Sequence, residues 1–182
     1  MKRIGNQITY EKLGKDHLSL VIIPVLPKSK KNMLLLWAAS WTMSGIIILG
    51  ALFFSEFKKE EYLGVGIFFL FWIYFEFKVV HAIRWNSFGK EVLNIKDGEF
   101  SYIKSISERG FPEVIELSKL SPFKYATDSE SGIWNDINKS SWFVGGEVVE
   151  YQANGSLKRI GMKLSKKDAN QLVILLNKTA GL

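Results

Sequence analysis

Residues 33–54 read MLLLWAASWTMSGIIILGALFF and contain no charged side chain. A helix of these 22 residues would be about 33 Å long at 1.5 Å of rise per residue. That length matches the roughly 30 Å hydrocarbon core of a bilayer. A signal peptide has a shorter apolar core and a small-residue cleavage site after it, and this stretch has neither. The stretch therefore predicts a first transmembrane helix.

A second uncharged run covers residues 62–75 and is too short to span a bilayer alone. Continued through Glu76 to residue 83, it reaches the length of the first run. The seven-residue polar connection at 55–61 suits a tight loop between antiparallel helices. The sequence thus predicts a transmembrane helical hairpin over residues 32–83. Its two helices are predicted at 33–54 and 62–83.

The distribution of lysine and arginine predicts the orientation of this hairpin, because cytoplasmic flanks carry more of both. Residues 1–31 hold seven Lys/Arg and two Asp/Glu, a net charge of +5, whereas the helix connection has only Lys58 and Lys59. We therefore expect an integral protein of the inner (cytoplasmic) membrane with both termini in the cytoplasm. Residues 84–182 carry a net charge of only +2, which argues against nucleic-acid binding. The lysine-rich lead suits anionic lipid headgroups instead.

Two features inside the predicted hairpin are candidates for packing and function. Equal depth in an antiparallel pair places Gly50 opposite Gly66, and small residues at one depth let two helices approach closely. Glu76 is a carboxylate inside the predicted span, which makes it a functional candidate. Its position towards the inner end, at the depth of Ser40, favours a snorkelling or locally hydrogen-bonded carboxylate over a proton or ion site.

The segments outside the hairpin alternate apolar and polar residues, which indicates β-strands. Residues 1–31 contain two such segments and predict a β-hairpin followed by a basic lead. An isolated hairpin is marginally stable, so we expect it to join a larger sheet. That sheet must come from residues 84–182, in which Asp97-Gly98 and Asn154-Gly155 are strong hairpin turns. Residues 126–140 are polar and predict an irregular loop.

The last element changes from strand to helix periodicity. Ser165 precedes Asp168 by three residues, the spacing of a helix start. Ala169, Leu172 and Leu176 then recur on one helical face. We predict a C-terminal amphipathic helix that packs against the sheet, because its apolar stripe must be covered.

Several short motifs follow one another along the chain in a specific order. They are Ile22-Ile23-Pro24 ahead of the lysine-rich lead, WNSFGKE at 85–91, GEVV at 146–149 with RIG at 159–161, and Leu164-Ser165 with Asp168-Ala169. In these motifs the chain resembles bacterial proteins in which a two-helix membrane hairpin carries a pleckstrin-homology-like (PH-like) domain. The resemblance implies an α+β membrane protein: a transmembrane hairpin plus a PH-like antiparallel β-sheet or barrel, capped by a C-terminal helix. It implies no catalytic or ligand residues.

Most enzyme chemistry lacks its usual residues in this chain. There is no cysteine, and His17 and His81 are the two histidines, which leaves too few ligands for a typical zinc site. The chain has neither the phosphate-binding loop nor the glycine-rich dinucleotide fingerprint. We therefore expect a non-enzymatic protein without cofactor, metal or evident small-molecule substrate.

Three functions remain open. The first is a membrane-anchored interaction module, an accessory or scaffolding subunit of a bacterial membrane complex, with Trp134 as a candidate contact. Its partners would be the lipid bilayer and either another protein or a second copy of the chain. The alternative is a PH-like reader of anionic lipid headgroups, with phosphate contacts at Lys104, Arg109, Lys158 and Arg159. The third is a small transport or ion-conducting subunit.

Overall fold

The two uncharged stretches lie within two long helices in the computed structural model, which describes residues 1–14, 16–54, 58–126 and 144–182. Helix α1 spans Lys28–Phe54 and helix α2 spans Lys59–Phe88. Both are longer than the uncharged runs, because the flanking charged and polar residues continue the helical backbone. Both are long and apolar enough to cross a membrane, and only 11% and 6% of their most apolar windows are buried.

Short antiparallel strands and one further helix account for most of the remaining described residues. The strands are β1 (Lys2–Ile4), β2 (Ile8–Lys12), β3 (Leu18–Ile22), β4 (Gly89–Lys96), β5 (Glu99–Ile106), β6 (Glu113–Glu116), β7 (Lys124–Tyr125), β8 (Glu147–Ala153) and β9 (Ser156–Met162). Helix α3 spans Lys166–Ala180. The protein is therefore α+β, as the sequence predicts. The three-residue strand β1 carries too little alternation to be predicted.

The strands form two sheets. One sheet has six strands in the order β1-β2-β3-β4-β5-β6, and the other has three in the order β7-β8-β9. Strand β3 pairs with β4, with Val21 opposite Val92, so the N-terminal hairpin joins a larger sheet as expected. The sequence left open a barrel, but the strands within the described ranges form no closed barrel.

Contacts divide the chain into two compact units. The helical unit contains Leu26–Arg84, and the α+β unit contains Met1–Val25, the described residues from Trp85 onwards up to 126, and Gly145–Leu182. Most of the loop predicted at 126–140 lies outside the described residues.

Local signals in the sequence specify the turns and the ends of α3. Asp97 and Gly98 have φ of 53° and 81°, and Asn154 and Gly155 have φ of 50° and 76°. Both pairs have the positive φ values that a two-residue hairpin turn requires. Ser165 accepts a hydrogen bond from the Asp168 amide at the start of α3, and Gly181 ends the helix in the left-handed conformation. The predicted hairpin turns and the predicted start of α3 are confirmed.

The core of the α+β unit lies between the sheets and α3. Phe100, Phe123 and Tyr151 pack together with ring centroids 5.1–5.5 Å apart. Leu172 and Leu176 of α3 are fully buried in the same cluster. Each buried aliphatic or aromatic side chain of this size stabilises the fold by about 1.5–3 kcal/mol. The helix therefore covers the apolar face that the short strands could not bury alone.

Candidate functional site

Glu91 is a charged residue on the inward face of a strand. In β4 the buried residues alternate, so Glu91 shares its face with Leu93 and Ile95. Its exposed fraction is 1%, the same as that of Leu93. Burying a carboxylate is costly unless hydrogen bonds replace its water. The hydrogen-bond partners of Glu91 therefore decide how costly its burial is.

Three donors surround the Glu91 carboxylate. The Gly161 and Met162 amides donate to Oε2 and Oε1 at 2.9 and 2.8 Å. The Tyr102 hydroxyl donates to Oε2 at 3.0 Å. Since Glu91 belongs to the six-stranded sheet and the two amides belong to β9, the carboxylate joins the two sheets. We refer to Glu91, Tyr102, Gly161 and Met162 as the carboxylate joint.

Gly161 supplies the backbone shape that this joint needs. Its φ is +76°, in the left-handed region that favours glycine. The amides of Gly161 and Met162, which are successive in the chain, can then converge on one anion, as in backbone anion-binding turns. A Cβ at Gly161 would also lie 2.9 Å from Leu164 Cδ1. A side chain at this position would therefore be strained and crowded.

Burial changes the proton affinity of groups in the joint. Desolvation raises the pKa of Glu91 above its ordinary value of 4.5, although the two amides, Lys104 and Tyr102 act in the opposite direction. Desolvation and the nearby Glu91 charge also raise the pKa of Tyr102 and raise that of Tyr151 to about 12. Both oxygens of the buried Glu91 accept hydrogen bonds from backbone amides, which favours a structural role in linking the two sheets.

Carboxylates pair with three of the four cations proposed for phosphate binding. Lys104 Nζ lies 2.5 Å from a Glu147 oxygen, Lys158 pairs with Glu113, and Arg159 lies 3.8 Å from Glu150. A lipid phosphate would have to compete with these carboxylates.

Arg109 differs from the other three cations. Its side chain is exposed, and it forms no ion pair with another described residue. The four cations therefore do not share one arrangement, and the geometry gives the headgroup-binding hypothesis little support.

In the helical unit, Glu76 is locally hydrogen-bonded. Its partner is Thr42, whose Oγ1 lies 2.8 Å from Glu76 Oε1. Ser40 was the expected partner, but its hydroxyl donates to Leu36 of its own helix. Successive helical residues rotate by about 100°, so positions 40 and 42 cannot face the same neighbour. Thr42, and not Ser40, is therefore the residue of α1 that contacts Glu76.

The predicted contact between Gly50 and Gly66 is wrong. A Cβ placed at either glycine would meet nothing within 4 Å. The close approach occurs at Gly45, where a Cβ would overlap the indole ring of Trp72. Depth along an antiparallel pair can be counted from sequence, but the helical rotation that selects the facing residues cannot. A large aromatic ring, and not a second glycine, fills the space at Gly45.

Reciprocal hydrogen bonds hold the same two helices together. Trp72 Nε1 donates to the Trp41 carbonyl at 2.9 Å, and Trp41 Nε1 lies 3.4 Å from the Trp72 carbonyl. Trp37 stacks on Trp41 with centroids 5.3 Å apart. The sequence analysis does not identify this role of Trp41.

The remaining predictions concern partner contact and metal binding. Trp134 lies outside the described residues. No group of His, Cys, Asp or Glu that could hold a metal ion occurs in the described part of the chain. Sequence analysis also missed Glu91, although a signal was present: a glutamate in step with Leu93 and Ile95 on an alternating strand indicates a buried carboxylate.

Comparison of the chain with protein-family models, with curated proteins and with solved structures finds no match. The geometry and chemistry of the residues therefore carry the functional argument.

Proposed function

We propose that the protein is a membrane-anchored, non-enzymatic interaction module. Helices α1 and α2 cross the bilayer as a hairpin, and the α+β unit presents a surface to a partner protein. This proposal rests on one observation: strands on either side of the two apolar helices pair in one sheet.

The pairing of β3 with β4 restricts how the chain can cross a membrane. Their register is continuous from Leu18 opposite Ile95 to Ile22 opposite Glu91, and both helices lie between the two strands in the chain. Paired strands must be on the same side of a bilayer, so the number of crossings between them must be even. Two helices that are long and apolar enough to span satisfy this condition with two crossings.

The resemblance to PH-like membrane proteins supplies the finer part of the proposal. In it, the α+β unit is PH-like, and the protein is an accessory or scaffolding subunit in the inner membrane of a bacterium. The lysines at 28, 30 and 31, which are exposed in the first turn of α1, favour a cytoplasmic location for this end of the hairpin. Both termini are then cytoplasmic.

Cysteine labelling tests the topology, because the natural chain contains no cysteine. We expect Lys58→Cys, between the helices, to react with a membrane-impermeant maleimide on intact spheroplasts. The matched variant Leu182→Cys should react only after permeabilisation. The protein should also stay in the membrane pellet after alkaline extraction. Release into the soluble fraction, or equal labelling of both variants on intact spheroplasts, would contradict the proposal.

An exposed aromatic side chain beside a sheet edge marks the proposed contact surface. Strand β6 is the last strand of the six-stranded sheet. Just ahead of it, Phe111 is 95% exposed, and Val114 on the strand is 54% exposed. Aromatic residues are enriched in protein interfaces, and an unpaired strand edge can accept a further strand. We propose that a partner protein contacts this edge.

Photo-crosslinking in cells tests this surface. We expect Phe111→p-benzoylphenylalanine to give one discrete crosslinked species of higher mass after irradiation. The control is Leu157→p-benzoylphenylalanine on β9, where the natural side chain is 56% exposed, and it should give none. Identical patterns from the two positions, or no product from Phe111, would refute a partner at the β6 edge.

A further inference from the structure

Glu76 is a carboxyl group in the middle of the helical unit. Its partner Thr42 lies near the midpoint of α1, which runs from Lys28 to Phe54. Glu76 Oε1 lies 2.8 Å from Thr42 Oγ1. Its other oxygen, Oε2, is buried and has no hydrogen-bond partner among the residues that the structure describes. The group therefore does not reach towards a helix end.

The number of protons available to these oxygens indicates the protonation state of Glu76. Thr42 Oγ1 lies 2.8 Å from two acceptors, the Ala38 carbonyl and Glu76 Oε1, but a hydroxyl has one proton to donate. With an ionised Glu76, the two acceptors compete for that proton. With a protonated Glu76, Thr42 donates to Ala38 while the carboxyl O–H donates to Thr42. Only the protonated carboxyl gives both short contacts a proton.

The charges around Glu76 favour the same state. Helix α1 has no charged residue after Lys31. On α2, Lys78 Nζ lies over the Tyr74 ring at 5.6 Å, and His81 stacks on Phe77. No ion pair joins Glu76 to another residue of the described ranges. An unpaired carboxylate with one dry oxygen is far costlier than a neutral carboxyl.

We propose that Glu76 is a proton-binding site inside the helical unit, and that its protonated carboxyl donates a hydrogen bond to Thr42. Thr42 is the positioning residue, because its hydroxyl accepts a hydrogen bond from Glu76 and donates one to the Ala38 carbonyl. The inference goes beyond membrane anchoring and partner binding, and it stands on the geometry of α1 and α2.

A hydrophobic carbodiimide tests the site on the full chain in lipid nanodiscs. Dicyclohexylcarbodiimide reacts with a protonated carboxyl: the acid O–H adds across one C=N bond, and the acyl group then migrates to nitrogen. The adduct keeps every atom of both reactants. We expect one adduct, on the peptide that contains Glu76. Glu76→Gln should give no adduct, whereas Glu61→Gln on the same helix should retain it.

Infrared difference spectra of the wild type and Glu76→Gln provide the deciding readout. We expect the C=O stretching band of a protonated carboxyl. Thr42→Val should shift this band, because the acceptor of the carboxyl proton is lost, whereas Thr42→Ser should leave it in place. Carboxylate bands in place of the C=O band would overturn the proposal, as would an absence of adduct on Glu76. Neither result would affect the topology or crosslinking tests.

Discussion

Replacing Glu91 by alanine is expected to lower the free energy of unfolding by about 3 kcal/mol, because three donors lose their acceptor and each costs about 1 kcal/mol or more. These donors are the Gly161 and Met162 amides and the Tyr102 hydroxyl. Chemical unfolding of the full chain in detergent, followed by circular dichroism, measures the loss. Hydrogen exchange should also accelerate at Gly161 and Met162.

Glu99→Ala is the matched control for this variant. Glu99 is an exposed carboxylate at the start of β5, so its removal should change stability by no more than about 0.5 kcal/mol. If Glu91→Ala is no more destabilising than this control, or if exchange at Gly161 and Met162 is unchanged, the carboxylate does not join the sheets.

Glu91→Gln should reveal the pH dependence of the joint. Because burial raises the pKa of Glu91 in the folded protein, the folded state binds a proton there more tightly than the unfolded chain does. The resulting stability is fully present below pH 4.5, the ordinary value. It is lost as pH rises through the folded-state pKa. The glutamine variant should therefore be most destabilised, relative to the wild type, at the acidic end of this window. A constant difference across the window would contradict this assignment.

Replacing Gly45 by alanine should weaken the packing of α1 against α2 by about 2 kcal/mol, the range for overpacking a tight contact. The new methyl group would overlap the Trp72 ring. The ring is fixed by its hydrogen bond to the Trp41 carbonyl, so it cannot move without losing that bond. Resistance of the helices to unfolding in sodium dodecyl sulfate, followed by tryptophan fluorescence, measures the effect.

Gly50→Ala is the control in the same helix. A Cβ at Gly50 meets nothing within 4 Å, and alanine has the higher helix propensity by roughly 1 kcal/mol. We therefore expect unchanged or slightly increased resistance for this variant. Equal losses in the two variants would show that the close approach of the helices does not depend on Gly45.

The sequence predicts those parts of the fold that depend on neighbouring residues. Asp97-Gly98 and Asn154-Gly155 form the expected turns because their positive φ values are a local property. Ser165 caps α3 for the same reason. The two uncharged runs identify α1 and α2 by length and composition alone. None of these features requires knowledge of which segments meet in three dimensions.

The candidate sites depend on contacts between segments that are distant in the chain, so the sequence predicts them less well. In the sequence, Lys104 and Lys158 are candidate phosphate ligands. Their carboxylate partners, Glu147 and Glu113, come from strands that are distant in the chain. Glu91 reaches amides that are 70 and 71 residues away. Thr42 replaces Ser40 beside Glu76 because helix rotation decides which side chain faces the neighbouring helix.

The β3–β4 pairing also sets the order of events during biosynthesis. A ribosome releases β1–β3 first, yet the strand that completes their hydrogen bonding, β4, follows only after α2. Strands β1–β3 therefore lack β4 until about seventy further residues have been translated. During that time Leu18, Leu20 and Ile22 remain uncovered. Nascent chains stalled before residue 89 should accordingly be sensitive to protease within residues 1–25, and protection should arise late and together with that of β4.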